Sequence, residues 1–319
     1  MKGIATINFK GGVGKTTITW LLAKYVAERL EKKVLVIDTD AQMSLTLAVQ
    51  LQEDGRFYNE FNDWYETQHK TKQKTILNAL EAYESLKGGH FDFPINTNFI
   101  YEMSSNLHFI PSDVDLYWLE LDVFDREKTK FFIQALMGKI EHSKYNYDYI
   151  FFDCPPNFTA LSYSVLSCSS LLLIPVNPDV FASRGVDLLL DGLHLRIEPW
   201  PSPKIGVFMN KAKMYSDSLT KETQLYLNET KRVCEKKSRK GIHAVMLDSY
   251  IPERVDIKRA IPKKTFPDEY ETYFSKLWND IERIIDIIGN KQIVSPNPLL
   301  GGGGVGKTLF PIMSNIKIC

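Results

Sequence analysis

The stretch Lys10-Gly11-Gly12-Val13-Gly14-Lys15-Thr16-Thr17 constrains this chain more than any other, because of what flanks it. Residues 3–9 are apolar and read as a buried strand, while Ile18, Leu21, Leu22, Tyr25, Val26 and Leu30 recur at helical spacing over residues 16–31. A strand that turns through glycines into a helix start brings several free N–H groups together on one anion. Gly11, Gly12 and Gly14 let the backbone wrap phosphates without Cβ clashes, with Val13 and Thr17 in the same cradle. Lys15 can bridge the β- and γ-phosphates, and the Thr16 hydroxyl can reach Mg²⁺. A second glycine run, residues 301–308, satisfies G-x-x-x-x-G-K-[ST] in full. Its context fails: Pro296 and Pro298 interrupt what precedes it, and Pro311 would break a following helix.

Similar short apolar runs recur at 33–38, 106–111, 147–153, 170–176, 204–209 and 244–251, separated by helical stretches such as 128–142. Near-continuous apolar strands alternating with helices predict an α/β fold: a doubly wound, mainly parallel sheet with helices on both faces, as one domain over 1–289. Residues 51–105 break the rhythm and are expected to be inserted helices and loops. Residues 290–319, rich in proline and glycine, are expected to be a disordered tail. With 319 residues and 44% hydrophobic side chains the chain can bury a large core. Thirty-nine basic and 39 acidic residues cancel, so a polyanion partner would need a local patch. Cys154, Cys168, Cys234 and Cys319 are scattered without metal or disulfide spacing, which points to a reducing cytosol. No run reaches the ~18 apolar residues of a spanning helix, and residues 1–9 are too short for a signal segment.

Two more strands end in carboxylates. Val34-Leu35-Val36-Ile37-Asp38-Thr39-Asp40 delivers two, and Tyr149-Ile150-Phe151-Phe152-Asp153-Cys154-Pro155-Pro156 delivers one, at the strand ends where parallel sheets bind ligands. Asp153 has the setting of an acid that orders Mg²⁺ through water.

Lys10 departs from the ordinary phosphate loop, and K-G-G-V-G-K-T-T resembles the signature of the ParA/MinD superfamily of deviant Walker-A P-loop ATPases. The resemblance covers about residues 1–288. It implies ATP and Mg²⁺ as cofactors and slow hydrolysis, with Lys10 reaching across a homodimer to the partner copy's nucleotide. It implies that Asp40 positions the attacking water and that Asp38 supports the water shell of the metal, with the two roles open to sharing. It also implies that Asn210 meets the adenine edge and that Pro252 lies in the loop bordering the base. Asp-Cys-Pro-Pro resembles the ParA branch. The implied function is positioning or partition of a cargo: a plasmid, a chromosome, or a protein organelle such as a carboxysome. The implied partners are nonspecific DNA and a ParB-like or McdB-like adaptor that stimulates hydrolysis, in a cytoplasmic, nucleoid-associated protein.

Residues 229–264 carry eleven Lys/Arg against five acids, an excess of six. Lys231, Arg232, Lys236, Lys237, Arg239, Lys240, Arg254, Lys258 and Arg259 are the candidate DNA-binding residues of that segment, on phosphates and without sequence preference. The alternative, a MinD-like membrane-associated ATPase that places cell division, predicts a basic amphipathic helix near the end of the chain. Residues 268–288 are amphipathic, but their polar face holds six acids against Lys276 and Arg283. That charge repels anionic lipid, so the helix is expected to pack on the core.

Overall fold

The computed structural model describes residues 1–50, 75–85, 99–120, 126–141, 143, 145–197 and 203–289. In chain order they form β1 (Lys2–Thr6), α1 (Lys15–Arg29), β2 (Val34–Asp38), α2 (Ser44–Val49), α3 (Ile76–Glu84), β3 (Tyr101–Glu102) and β4 (Leu107–Ile110). Then follow α4 (Arg126–Thr129), α5 (Phe132–Glu141), β5 (Tyr149–Asp153), α6 (Ala160–Cys168), β6 (Leu171–Val176), α7 (Ala182–Arg196) and β7 (Lys204–Ala212). The last are β8 (Met214–Tyr215), β9 (Ser218–Leu219), α8 (Lys221–Ser238), β10 (Ala244–Pro252) and α9 (Glu271–Gly289).

Eight strands form one sheet in the order β10-β7-β6-β1-β5-β2-β4-β3, parallel throughout except where β3 joins β4. Along each inner strand the side chains alternate between two cores. Ala5, Leu35, Ile37, Leu172 and Ile174 face the layer of α3, α5, α6 and α7, whereas Ile4, Val34, Val36, Leu171 and Leu173 face α1 and α9. Each such side chain taken fully out of water stabilises the fold by roughly 1.5–3 kcal/mol. Both faces being covered is why the strands lack polar alternation.

The last helix behaves as its charge predicts: Phe274, Leu277, Trp278, Ile281, Ile284 and Ile285 are all buried in the second core. Among the described residues no helix is long and apolar enough to cross a membrane. Three details differ from the sequence expectations. The insertion returns through a short edge strand, β3, and not through helices and loops alone. A two-stranded ribbon, β8 with β9, follows β7. The helix expected at 128–142 is broken into α4 and α5, because the Ile133 N–H is donated to the Ser164 hydroxyl of α6, 3.0 Å away, and not to its own helix. The tail 290–319 with its glycine run, and residues 51–74 and 86–98 of the insertion, lie outside the described residues.

Candidate functional site

β1 is the centre of the sheet, with β5 on one side and β6 on the other, so the chain leaves its C-terminal end at the point where the winding reverses. The loop that begins there ends in Gly14, which stands before α1 with φ 92°, and Gly12 has φ 73°. Glycine alone takes such angles at no steric cost. No side chain caps α1 and no acid lies in its first turn, so its N-terminal N–H groups are left for an external acceptor.

The loop is braced from two sides. The Asn8 amide donates to the Pro175 carbonyl at 2.8 Å and its oxygen accepts from the Lys10 N–H at 2.9 Å, which ties the loop to β6. From β7, Asn210 Nδ2 donates to the Val13 carbonyl and Lys211 Nζ to the Gly12 carbonyl, both at 2.6 Å. In a trans peptide the C=O and N–H point opposite ways. Holding those two carbonyls towards β7 therefore turns the Val13 and Gly14 N–H groups to the other side. Asn210 thus braces the loop here, and Pro252 lies beside it, since Ile251 pairs with Asn210 and Pro252 with Ala212. Lys211 was missed by the sequence reading; its φ of 55° marks an irregularity inside β7, where the register with β10 slips between Asn210 and Ala212, and nothing local announces it.

Thr6, Asp153 and Asp38 lie in register on adjacent strands. Asp153 is buried, and among the described residues neither of its carboxylate oxygens nor the Thr6 hydroxyl has a hydrogen-bond partner. Burial, then the charge of Asp38, pushes Asp153 well above the usual carboxylate range; the Thr16 hydroxyl and Lys15 pull the other way without completing a bond. Burial likewise pushes Asp38 up to about 7, against donors from Thr46 and Asp40. Asp40 is raised by burial and restrained by the Gln42 N–H and Lys15. Lys15 Nζ donates to the Asn8 carbonyl at 3.1 Å, and burial lowers its pKa while Asp153 and Asp40 raise it. An orphaned buried carboxylate beside Thr16, Lys15 and an uncapped helix start is a donor set that fits a phosphate and a hard divalent cation. Among the described residues no three His, Cys, Asp or Glu side chains form a chelating group. Mg²⁺ at a nucleotide takes only one or two protein carboxylates, with phosphates and water completing its shell.

Lys10 lies at the surface. Its ammonium pairs with Asp179 at 2.5 Å and sits 5.9 Å from the centre of the Phe181 ring. Asp179 was not singled out from sequence, although it directly follows the apolar β6 strand and Pro178. A cavity of about 160 Å³ opens beside Asp40, between residues 39–42, Tyr117 and the Pro155-Pro156 turn.

Of the basic candidates, Lys231, Arg232, Lys236, Arg239, Lys240, Arg254 and Arg259 are exposed. Lys237 is not: its ammonium is buried against Asp187 at 2.7 Å and Asp191 at 2.5 Å, bolting α8 to α7. It is a structural ion pair and leaves the candidate DNA surface. The Lys258 side chain lies outside the described residues.

A family model described as an AAA domain matches residues 1–198. The chain is 27% identical over 190 residues to the chromosome-partitioning ATPase Soj of Treponema pallidum, and 30% identical over 195 residues to a ParA family protein of Chlamydia trachomatis. Each match takes in 59% of this chain, and it spans 62% and 64% of those relatives' own lengths. Among solved structures, an ATP complex of a Cyanothece McdA variant superposes with a TM-score of 0.64 at 20% identity, over 92% of this chain and 99% of that one. The ParA of pNOB8 gives 0.64 at 22% identity over 90% and 99%, and its complex with nonspecific DNA gives 0.59 at 22% over 88% and 99%. At such identities the structures show the fold, and the family model, matching more than half of the chain, shows the family: this chain belongs to the AAA-domain family, and is similar within it to Soj and ParA proteins.

Proposed function

We propose that the chain is a ParA-type positioning ATPase. It binds Mg²⁺-ATP, pairs with a second copy across the nucleotides, binds DNA without sequence preference in that state, and leaves when an adaptor stimulates hydrolysis. The observation that carries this is the loop at residues 10–17, braced by Asn8, Asn210 and Lys211 around an uncapped helix start, with Lys15 and the orphaned Asp153 beside it.

In this reading the Val13 and Gly14 N–H groups and the start of α1 cradle the phosphates. Lys15 exchanges its bond to the Asn8 carbonyl for the β- and γ-phosphates. Thr16 and, through water, Asp153 would hold Mg²⁺, which when bound would neutralise charge on the group being transferred. Asp40 orients the attacking water. Lys10 leaves Asp179 for the partner copy's nucleotide. None of these residues is an arginine, so turnover is slow until the adaptor acts.

The exposed Lys231, Arg232, Lys236, Arg239, Lys240, Arg254 and Arg259 supply the phosphate contacts. The likeness to a ParA bound to nonspecific DNA supports that reading, and the likeness to McdA keeps a protein organelle among the cargoes beside plasmid and chromosome. The protein is then cytoplasmic and nucleoid-associated, with residues 1–289 as the ATPase unit. The burial of the apolar face of α9 removes what a MinD-like membrane reading would need there.

The test is binding to a random-sequence duplex by fluorescence anisotropy with Mg²⁺-ATP, Mg²⁺-ADP or no nucleotide, across a salt series. ATP-dependent binding that weakens steeply with salt is expected. Equal binding in all three states, or none in any, refutes the DNA-positioning reading.

A further inference from the structure

Asp38 and Asp40 stand two residues apart at the end of β2, and their surroundings separate their roles. Asp38 is fully buried, and its carboxylate is already spoken for. Its Oδ2 accepts both the Thr46 N–H at 2.9 Å and the Thr46 hydroxyl at 2.7 Å, and its Oδ1 accepts the Asp40 N–H at 3.1 Å. The Thr46 oxygen accepts in turn the Ser112 N–H at 2.9 Å, and the Ser112 hydroxyl donates to the Asp40 carbonyl at 2.8 Å. The circuit closes: Asp38, Thr46, Ser112, Asp40 and back to Asp38. Thr46 and Ser112 are both fully buried. Asp40 is the exception in kind. Only its backbone belongs to the circuit, while its carboxylate accepts the Gln42 N–H at 2.9 Å, and the residue borders the cavity.

We propose that Thr46 and Ser112 are positioning residues for hydrolysis, forming with Asp38 a closed hydrogen-bonded ring that aims the Asp40 carboxylate at the reacting water. The proposal rests on the ATPase reading above, and it divides the labour between the two acids. Asp38 is the acceptor at the ring's hub, held by Thr46 and the Asp40 N–H; Asp40 is the catalytic residue.

Three elements meet in this ring: the end of β2, the first turn of α2, and the segment after β4. Each contributes a backbone group as well as a side chain, so no single hydrogen bond locates the turn. The ring as a whole does. The segment between Asp40 and α2 contains Met43 at φ 55°, a strained left-handed residue that persists only where its surroundings hold it. With the ring intact the turn cannot relax. Without the Thr46 hydroxyl the Asp38 carboxylate loses a donor and the Ser112 N–H its acceptor, without the Ser112 hydroxyl the Asp40 carbonyl loses its donor, and in either case Asp40 is free to shift. A misplacement of about 1 Å at a reacting group can cost ~100-fold in rate.

The experiment measures ATP turnover and fluorescent-ATP affinity in the full chain for wild type, Thr46→Val, Thr46→Ser and Ser112→Ala. Thr46→Val keeps the shape and the N–H but lacks the hydroxyl; Thr46→Ser restores it. A loss of turnover of about tenfold or more is expected for Thr46→Val and Ser112→Ala, with ATP affinity within about threefold of wild type and Thr46→Ser close to wild type. Unchanged turnover in Thr46→Val and Ser112→Ala overturns the proposal. So does a parallel fall of affinity and turnover, which marks general damage, or a Thr46→Ser as slow as Thr46→Val. Should Thr46→Val fail to fold, the Thr46→Ser and Ser112→Ala pair decides alone. Wild type that binds ATP without turning it over refutes the ATPase reading instead, and is told apart by that control.

Discussion

Gly14→Ala tests the loop most directly, because two independent costs are attached to one methyl group. The first is conformational: φ at Gly14 is 92°, where an L side chain is strained by about 1–2 kcal/mol. The second is steric, since a Cβ at this position would stand 2.4 Å from Asn210 Nδ2. That atom must move, and in moving it gives up its 2.6 Å bond to the Val13 carbonyl. Asn210 is buried, so an amide left without its partner costs about 1–3 kcal/mol. Together the substitution is expected to cost about 2–5 kcal/mol. Asn210→Ala alone loses the same bond and opens space for the Cβ. If Gly14→Ala acts partly by displacing Asn210, the double variant loses the bond once and not twice. The two single effects then exceed the double effect by about 1–3 kcal/mol. Urea denaturation of the four proteins measures this, with fluorescent-ATP affinity read beside it. Strict additivity would refute the steric argument, and a Gly14→Ala protein as stable as wild type would refute both.

Lys15→Ala is expected to abolish nucleotide binding, whereas Lys10→Ala binds ATP but no longer dimerises with it; light scattering with ATP, ADP and no nucleotide separates the two. Asp40→Ala should bind ATP and turn it over far more slowly, and normal phosphate release would move catalysis elsewhere. The hydrogen bond from Lys237 holds the Asp187 carboxyl below its ordinary range. A depressed carboxylate stabilises the fold above its unfolded pKa and stops doing so as pH falls through the folded value. Lys237→Met should therefore lower stability at neutral pH and flatten its decline on acidification, as thermal unfolding between pH 3 and pH 7 would show. It should leave DNA affinity unchanged in the folded protein.

What the sequence disclosed were features whose partners lie close along the chain or whose pattern repeats. The glycine loop declares itself because Gly12, Gly14, Lys15 and Thr16 fall within five consecutive residues. The seven sheet strands found from apolar runs were legible because burial on both faces removes polar side chains, and α9 because its apolar spacing and its acidic face agree. What stayed hidden depends on tertiary contacts of side chains that look ordinary in sequence. Ser112 reaches Asp40 across 72 residues of chain, and Lys211 reaches Gly12 across 199.

The clearest failure shows why charge counting has this limit. Lys236 and Lys237 are neighbours in one basic run, yet one is exposed and the other is 3% exposed. On a helix, adjacent residues point about 100° apart, so a run of lysines on a packed helix cannot all face solvent. Whether the inward one is tolerated depends on the helix it meets, and Asp187 and Asp191 on α7, four residues apart on one face, meet this one. Lys236 in the last turn of α8, and Arg239 and Lys240 just beyond its end, are all exposed, and such a triplet can address a single phosphate backbone together. Removing the three should therefore reduce the salt slope of DNA binding by about three units, at most one per phosphate contact. An unchanged slope would place the DNA surface elsewhere on the molecule.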